Sequence, residues 1–533
     1  MANKWWTLLA VCTGVFMLLL DITIVNVALP DIQRDLDASL SDLQWVIDAY
    51  ALTLAALLLT AGSLADRYGR RRLFAIGTFV FTVGSLFCGL APTVTLLSVA
   101  RAAQGVGGAI MFATALALLS GAFSGRERGT AFAYFGATTG VAVAVGPVLG
   151  GVLTSGLSWH WIFWVNIPIC ALALGVTLTR VEESRDPDPG SPDLVGFVTF
   201  SSGLGLLVLA LIRGGVDGWG DGTVVASFVA SAALLVGFVL SQLLQRSPMF
   251  DLGLLRKPTF VGGLVAAVGI SASVFSMLTY LIIYVQNVLG FSPVGAGVRF
   301  LFLSGMSFVS AIVAGRLTSH LPTRWLIGPG FLLAATGLFL MRGIAASSDP
   351  GEWTHLIPGL VVAGIGIGLV NVPLASTAVG VVRPERAGMA SGVNSTFRQV
   401  GIATGIAALG SIFSHQVSAG VRDSLAGTPA AGRAAEIGQA VTSGQIAAVI
   451  RQAPPSVRGA LEQAATASFV DALNHILTIA SVIALVAGVL CLFLIRTQDF
   501  EVQHTNGDTR GDQGQPPAGR RPRGGKHLAR AGT

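Results

Sequence analysis

The stretch Thr7–Leu29, TLLAVCTGVFMLLLDITIVNVAL, holds a single charged residue, Asp21. Coiled as an α-helix at 1.5 Å per residue it is about 34 Å long, enough to cross a hydrocarbon core of about 30 Å. Comparable apolar runs recur along the chain. Runs of this length satisfy their own backbone hydrogen bonds in lipid as helices rather than as barrel strands. Only 11% of the 533 residues are charged and 53% are hydrophobic, against about 25% charge in a soluble domain. The sequence therefore reads as an all-α polytopic membrane protein. The opening stretch is longer than a signal-peptide core and contains a carboxylate, so it reads as a retained first span.

Fourteen spans are predicted, at 7–29, 43–64, 73–91, 94–119, 130–154, 161–180, 194–212, 223–244, 259–285, 295–315, 325–341, 354–379, 391–415 and 475–495. With both termini cytoplasmic, the cytoplasmic connections hold fifteen Arg and Lys residues, from Arg67 to Arg386. The short external ones hold Arg34, Arg213 and Arg342. Basic residues concentrate on the cytoplasmic side of helical membrane proteins, and one missed span would scramble this bias. Topology and a basic tail thus account for the net charge of +6, and no nucleic-acid partner is expected. The four cysteines, Cys12, Cys88, Cys170 and Cys491, fall inside apolar runs and read as small buried hydrophobes.

Residues 1–180 are expected to form an N-terminal six-helix bundle, and 181–258 a linker with two inserted spans, 7 and 8. Residues 259–495 would form a C-terminal six-helix bundle with an external loop at 416–474, and 496–533 a disordered cytoplasmic tail. The linker Val181–Asp193, VEESRDPDPGSPD, is acidic and proline-rich and reads as flexible. The external loop is predicted to carry a pair of amphipathic helices, with one helical stretch at Ala434–Arg451. The six-two-six division rests on an internal repeat. FSGRERGTAFAYFG (123–136) matches VVRPERAGMASGVN (381–394), and GSLADRYGRRR (62–72) matches GRLTSHLPTRW (315–325), an offset of eight spans.

Ionisable groups within spans are expensive and therefore informative. They are Asp21, Asp48, Arg101, Arg299 and Arg398. Asp21 lies eight residues before the end of span 1 and Arg101 seven residues into span 4. Both sit about 10–12 Å below the same boundary at 1.5 Å per residue. A neighbouring arginine favours the ionised carboxylate and burial favours the neutral acid. Asp21 is therefore expected to carry a proton or to meet a cationic cargo, with Arg101 tuning it; the alternative is a static ion pair between helices. Asp48 and Arg299 lie near external ends, where they can snorkel. Asn394 and Arg398 are four apart and share a face of span 13. That face either lines a cavity or bonds helices together, and Asn26 and Asn371 are weaker candidates of the same kind.

Span 5 carries Gly136, Gly140, Gly146, Pro147, Gly150 and Gly151. Glycines four apart let another helix approach closely, and the proline removes a backbone bond, so a hinge or a tight interface is expected. No enzyme chemistry assembles. The segment GVGGA (105–109) lacks strand–helix context, no Gly-Lys-Ser/Thr segment exists, and the seven histidines show no metal-ligand spacing.

These segments resemble the major facilitator superfamily, and within it the fourteen-span drug:proton antiporter branch. The resemblance is carried by GSLADRYGRRR and by LDITIVNVALP (20–30), LSVARAAQGVGGA (97–109), GVAVAVGPVLGG (140–151), WHWIFWVNIP (159–168) and NSTFRQVGIATG (394–405). It implies a monomer in a bacterial inner membrane that exports drug-like, hydrophobic or cationic compounds by alternating access. A proton gradient would supply the energy, without a cofactor; small molecules, protons and the lipid bilayer would be the partners. The resemblance also makes residues 62–72 a cytoplasmic gate that latches the inside closed. In it Gly62 opens the motif, Gly69 permits the tight turn, Asp66 accepts from a neighbouring helix N-terminus, and Arg67 and Arg70 pair with acids such as Glu127. The second-half copy has Thr318 and Ser319 where Ala65 and Asp66 stand. His160 and the proline-free Val298–Leu303 depart from the family pattern. A metabolite-specific facilitator without strict proton coupling and a non-transporting membrane scaffold are the other readings.

Overall fold

The computed structural model describes residues 2–187, 191–245, 247–318, 320–347, 349–426, 428, 431–442 and 455–500. Among these residues every regular element is helical. The chain begins with α1 (Ala2–Asp35), α2 (Leu40–Tyr68), α3 (Arg70–Gly89), α4 (Val94–Ala122) and α5 (Gly125–Gly156). A short α6 (Trp161–Trp164) breaks at Val165 before α7 (Asn166–Arg180), and α8 (Leu194–Val216) pairs with α9 (Gly222–Leu244). There follow α10 (Pro258–Ile270), α11 (Ser276–Ile283), α12 (Pro293–Leu317), α13 (Arg324–Leu340) and α14 (Ile357–Gly380). The last are α15 (Ala387–Leu425), α16 (Ala434–Thr442) and α17 (Pro455–Leu494). Two π-turns, Ser271–Phe275 and Tyr284–Val288, interrupt the rod that contains α10 and α11.

Helix ends follow local chemistry. Ser39 and Asp42 form a capping box ahead of α2, and Thr93 and Ser292 cap α4 and α12. Asp221 accepts from Thr223 and Val224 at the start of α9. Among the described residues twelve helical stretches are long and apolar enough to cross a membrane, and α13 is a shorter apolar helix. Their outer faces are apolar too: Leu244 is 84% and Phe493 76% exposed, a surface suited to lipid rather than water.

One apolar core gathers Val15, Leu18, Phe74, Phe81, Met111, Phe132 and Phe163 from α1 to α7. A second gathers Ile270, Tyr284, Phe331, Leu360, Phe413 and Ile476 from α10 to α17. A smaller cluster of Ala55, Leu204 and Val208, with Val400 and Ala403 packed on it, seats α8 against both α2 and α15. Thr60 and Ser201 hydroxyls meet at 3.1 Å on the same seam. The base of the α8–α9 pair is tied by Asp193. Its carboxylate accepts from Gly196 N, Gln242 Nε2, Gln245 Nε2 and Met249 N at 2.6–3.1 Å. Burial pushes this carboxyl up, but the four hydrogen bonds prevail and hold it below the usual carboxylate value.

Three segments differ from expectation. Residues 181–187 are docked rather than free, because Glu183 accepts from the backbone N–H groups of Arg71 and Arg72 at 3.0 and 3.2 Å and so caps α3. The loop expected at 416–474 is largely helical extension: α15 runs on to Leu425 and α17 already starts at Pro455. Val417, Val421, Leu425, Ile437, Val441 and Leu461 bury one another there and continue the second core. The helical stretch expected at Ala434–Arg451 is present as α16 over Ala434–Thr442, and its remainder, 443–451, lies outside the described residues. Residues 496–500, expected in the tail, are also held. Asp499 accepts from Thr259 N and Oγ1 at 3.1 and 2.7 Å; the remainder, 501–533, lies outside the described residues, as does Ser319.

Candidate functional site

Within the first core four helices bring polar groups to one point. Asp21 on α1 is 0% exposed and Arg101 on α4 is 2% exposed. Arg101 Nη1 meets Asp21 Oδ2 at 2.5 Å, so the equal depths read from the sequence do place the two side chains together. Gln104, one turn along α4, donates to Asp21 Oδ1 at 2.9 Å and to Ser85 Oγ of α3 at 2.7 Å. Asn166, first residue of α7, donates to the same two atoms at 3.0 and 3.1 Å. Arg101 also donates to Val46 O at 3.2 Å and to Gln104 Oε1 at 2.7 Å, and its guanidinium lies 4.2 Å from the Tyr50 ring centre. Both carboxylate oxygens thus accept from protein donors, Oδ2 from Arg101 and Oδ1 from Gln104 and Asn166. Gln104, Asn166, Ser85 and Tyr50 were not anticipated. The one available signal was Gln104 at i+3 from Arg101.

The other predicted intramembrane groups stand apart from this cluster. Asn26 is exposed on α1 and donates only to Ile22 O at 3.4 Å. Asp48 is half-buried on α2 and faces the charge of Arg213 on α8. Arg299 stacks on Phe291 and Trp353, at 3.3 and 4.8 Å from the ring centres. Asn394 and Arg398 belong to the second bundle. Arg398 donates to Asn371 Oδ1 at 3.2 Å, and Asn394 is 3% exposed with its amide nitrogen unpaired. His160, outside the helices, stacks on Trp159 at 3.8 Å between ring centres. Burial lowers its imidazole below the ordinary value, against the pull of Asp35.

A second constellation lies where residues 66–72, 121–127 and 181–187 meet, here called the linker end. Asp66 accepts from Gly388 N at 2.8 Å and Met389 N at 2.7 Å, capping the first turn of α15. Arg70 Nε and Nη2 bind Asp66 Oδ1 at 2.9 and 2.8 Å, and Nη2 also reaches Pro384 O and Glu385 O at 2.6 and 3.0 Å. A pair on one half thus closes on a helix start in the other. Gly62 is required there: a Cβ would stand 2.2 Å from Gly388 O. Gly69 has φ +111°, and a Cβ would meet the Glu183 carboxylate at 2.7 Å. Glu127 binds neither Arg67 nor Arg70. It pairs with Lys4 at 2.5 Å, because α1 brings that lysine beside the start of α5. Arg67 is half-buried and makes no hydrogen bond among the described residues.

Along α5 the glycines face three partners. A Cβ on Gly146 would meet Thr23 Oγ1 at 1.8 Å and one on Gly150 Ile24 Cγ1 at 3.0 Å, both on α1, and one on Gly136 would meet Val372 Cγ2 of α14 at 3.2 Å. Gly151 faces Val294 and Gly140 faces Ser304, both on α12, and a Cβ on Gly129 would meet Gly315 O at 2.5 Å. The helix is continuous through position 147.

Residues 11–406 match the family model described as Major Facilitator Superfamily. The multidrug resistance protein Stp of Mycobacterium tuberculosis is 38% identical over 418 residues, 78% of this chain and 76% of that protein. The tetracenomycin C resistance and export protein of Streptomyces glaucescens is 34% identical over 510 residues, 94% of this chain and 93% of that protein. Among solved structures, the human organic anion transporter MFSD10 superposes with a TM-score of 0.58. It covers 92% of this chain and 100% of that one at 13% identity, a likeness of fold.

Proposed function

This chain belongs to the Major Facilitator Superfamily, a family of membrane transporters, and from that premise we propose that it exports drug-like molecules in exchange for protons. It is a multi-pass protein of the plasma membrane. With α5 and α13 added to the twelve long apolar stretches, the chain crosses fourteen times, with both termini cytoplasmic. The linker end is then the cytoplasmic end. Its closure by Asp66, Arg70 and the Gly62–Gly388 contact makes this the outward-facing state of an alternating-access cycle. The protein works as a monomer, and the glycines of α5 form the surface on which α1 and α12 slide.

The observation that carries the proton step is Asp21, a wholly buried carboxylate whose sole charged partner among the described residues is Arg101. While ionised, it holds α1, α3, α4 and α7 together through Arg101, Gln104, Asn166 and their shared bonds to Ser85. Protonation removes the charge that compensates Arg101, and an uncompensated buried charge is strongly destabilising. The cluster then has to open, with Arg101 retained by Gln104 and the Tyr50 ring, and α1 is released to move against α4. Because Asp21 already spends both oxygens on protein donors, its role is the proton rather than a cationic cargo. The cargo is accordingly read as hydrophobic and drug-like, in keeping with relatives named for resistance and export.

Expression in an efflux-deficient bacterial host tests the reading. Tolerance to several unrelated hydrophobic antibiotics should rise, and an uncoupler or Asp21→Asn should remove the gain at unchanged protein level. Tolerance that survives the uncoupler would support a facilitator instead. No tolerance to any compound would contradict export.

A further inference from the structure

The intramembrane arginines are not equivalent. Arg101 is neutralised by Asp21, while Arg299 is sandwiched by aromatic rings near a helix end. Arg398 has no carboxylate within 4.0 Å among the described residues. It stands eleven residues into α15, about 17 Å along the helix axis at 1.5 Å per residue, and so at mid-membrane depth. Its one acceptor among the described residues is Asn371 Oδ1 on α14, and the Phe275 ring of the π-turn lies 5.6 Å from its guanidinium. π-turns interrupt helices most often at functional positions.

The surrounding polar groups also lack acceptors. An arginine can only donate, so Asn371 must turn its oxygen to Arg398, which leaves its NH2 pointing elsewhere. Asn394, one turn nearer the linker end, is 3% exposed and its Nδ2 has no partner. It lines a cavity of about 10 Å³ with Thr259 and Thr377, room for about one water. Arg398 thus bonds Asn371 across α14 and α15 and stands one turn from Asn394 on α15, so three donor groups, one of them a full positive charge, lie within a helical turn of one another with no paired carboxylate among the described residues. The first bundle shows the opposite arrangement, in which donors and carboxylate saturate one another at Asp21.

We propose that Arg398, Asn371 and Asn394 form a subsite in the second bundle that receives an anionic or acceptor-rich group of the cargo. The inference rests on the export reading for the word cargo, and it narrows the substrate class to amphipathic molecules carrying an ionised acid. It sets the chemistry of the second bundle against the cationic preference expected from the sequence.

The test is binding to the full-length protein in nanodiscs, measured by fluorescence against empty nanodiscs. The probes are 1-anilinonaphthalene-8-sulfonate and N-phenyl-1-naphthylamine, the same rings with and without the anionic group. Arg398→Gln should weaken the sulfonate probe about tenfold and leave the neutral probe within about twofold, and Arg398→Lys should restore most of the difference. Asn394→Asp, which places a carboxylate one turn from Arg398, should mimic Arg398→Gln. It also answers the question if the glutamine variant does not fold. Equal weakening of both probes, no weakening of either, or no binding of the sulfonate to the native protein would overturn the subsite. Since no gradient is involved, intact discrimination without resistance in the host would sink the export reading alone.

Discussion

At the scale of single residues, function turns on which charges are compensated. Asp21→Asn keeps the size and most of the hydrogen bonds of the carboxyl but cannot exchange a proton. Proton-coupled transport should fall more than about tenfold, while the protein still inserts in the membrane and melts at a lower temperature, because Arg101 is left uncompensated. Arg101→Ala removes the partner of a buried carboxylate and should cost about 3–5 kcal/mol. The double variant Asp21→Asn with Arg101→Gln should recover much of that loss in a melting experiment, and a double variant no more stable than Arg101→Ala would contradict the pairing. Gly62→Val should keep the linker end from closing, because no side chain fits beside Gly388 O. Labelling of a cysteine placed at that end should then rise, whereas Gly237→Ala, with nothing within 4 Å, serves as a silent control. Asp21 and Arg101 were legible because charges stand out in apolar runs and depth follows from the helical rise. Gln104, Asn166 and Ser85 were not, since uncharged polar residues are scattered through every helix and only packing selects among them.

At the scale of elements, local chemistry was readable where the partners lie close in sequence and obscure where they do not. Asp66 was expected to meet a helix start; that the helix is α15, more than three hundred residues away, needed the fold. The acidic, proline-bearing linker has the composition of a flexible tether, and only the docking of Glu183 on the start of α3 shows otherwise. Asp193 holds the inserted pair α8 and α9 at its base. Its carboxyl lies below the ordinary value when folded, so its contribution is full above the unfolded value near 4 and is lost as pH falls through the lower folded value. Hydrogen exchange at the start of α8 and the end of α9 should accelerate below about pH 4. Asp193→Asn should produce the same acceleration at neutral pH, with a loss of about 1–3 kcal/mol from weakened and unmatched hydrogen bonds. Exchange unchanged in that variant would remove Asp193 from this role.

At the scale of the whole molecule, hydropathy and basic-residue placement were enough to predict the helical, multi-pass class. The lengths of α15 and α17 were hidden, because their ends beyond the predicted spans bury small and β-branched residues against each other rather than forming an apolar run. Fourteen crossings with cytoplasmic termini predict that reporters fused after Arg496 and within residues 181–187 report the same compartment; opposite compartments would refute the topology. The central claim is that Asp21 couples proton movement to export. Its most direct measurement uses purified protein in liposomes with an imposed pH gradient, following both a hydrophobic antibiotic and the internal pH. The account predicts that the antibiotic moves against the proton flux, that adding it dissipates the gradient, and that both effects vanish with Asp21→Asn. Antibiotic movement that ignores the gradient and survives Asp21→Asn would contradict it.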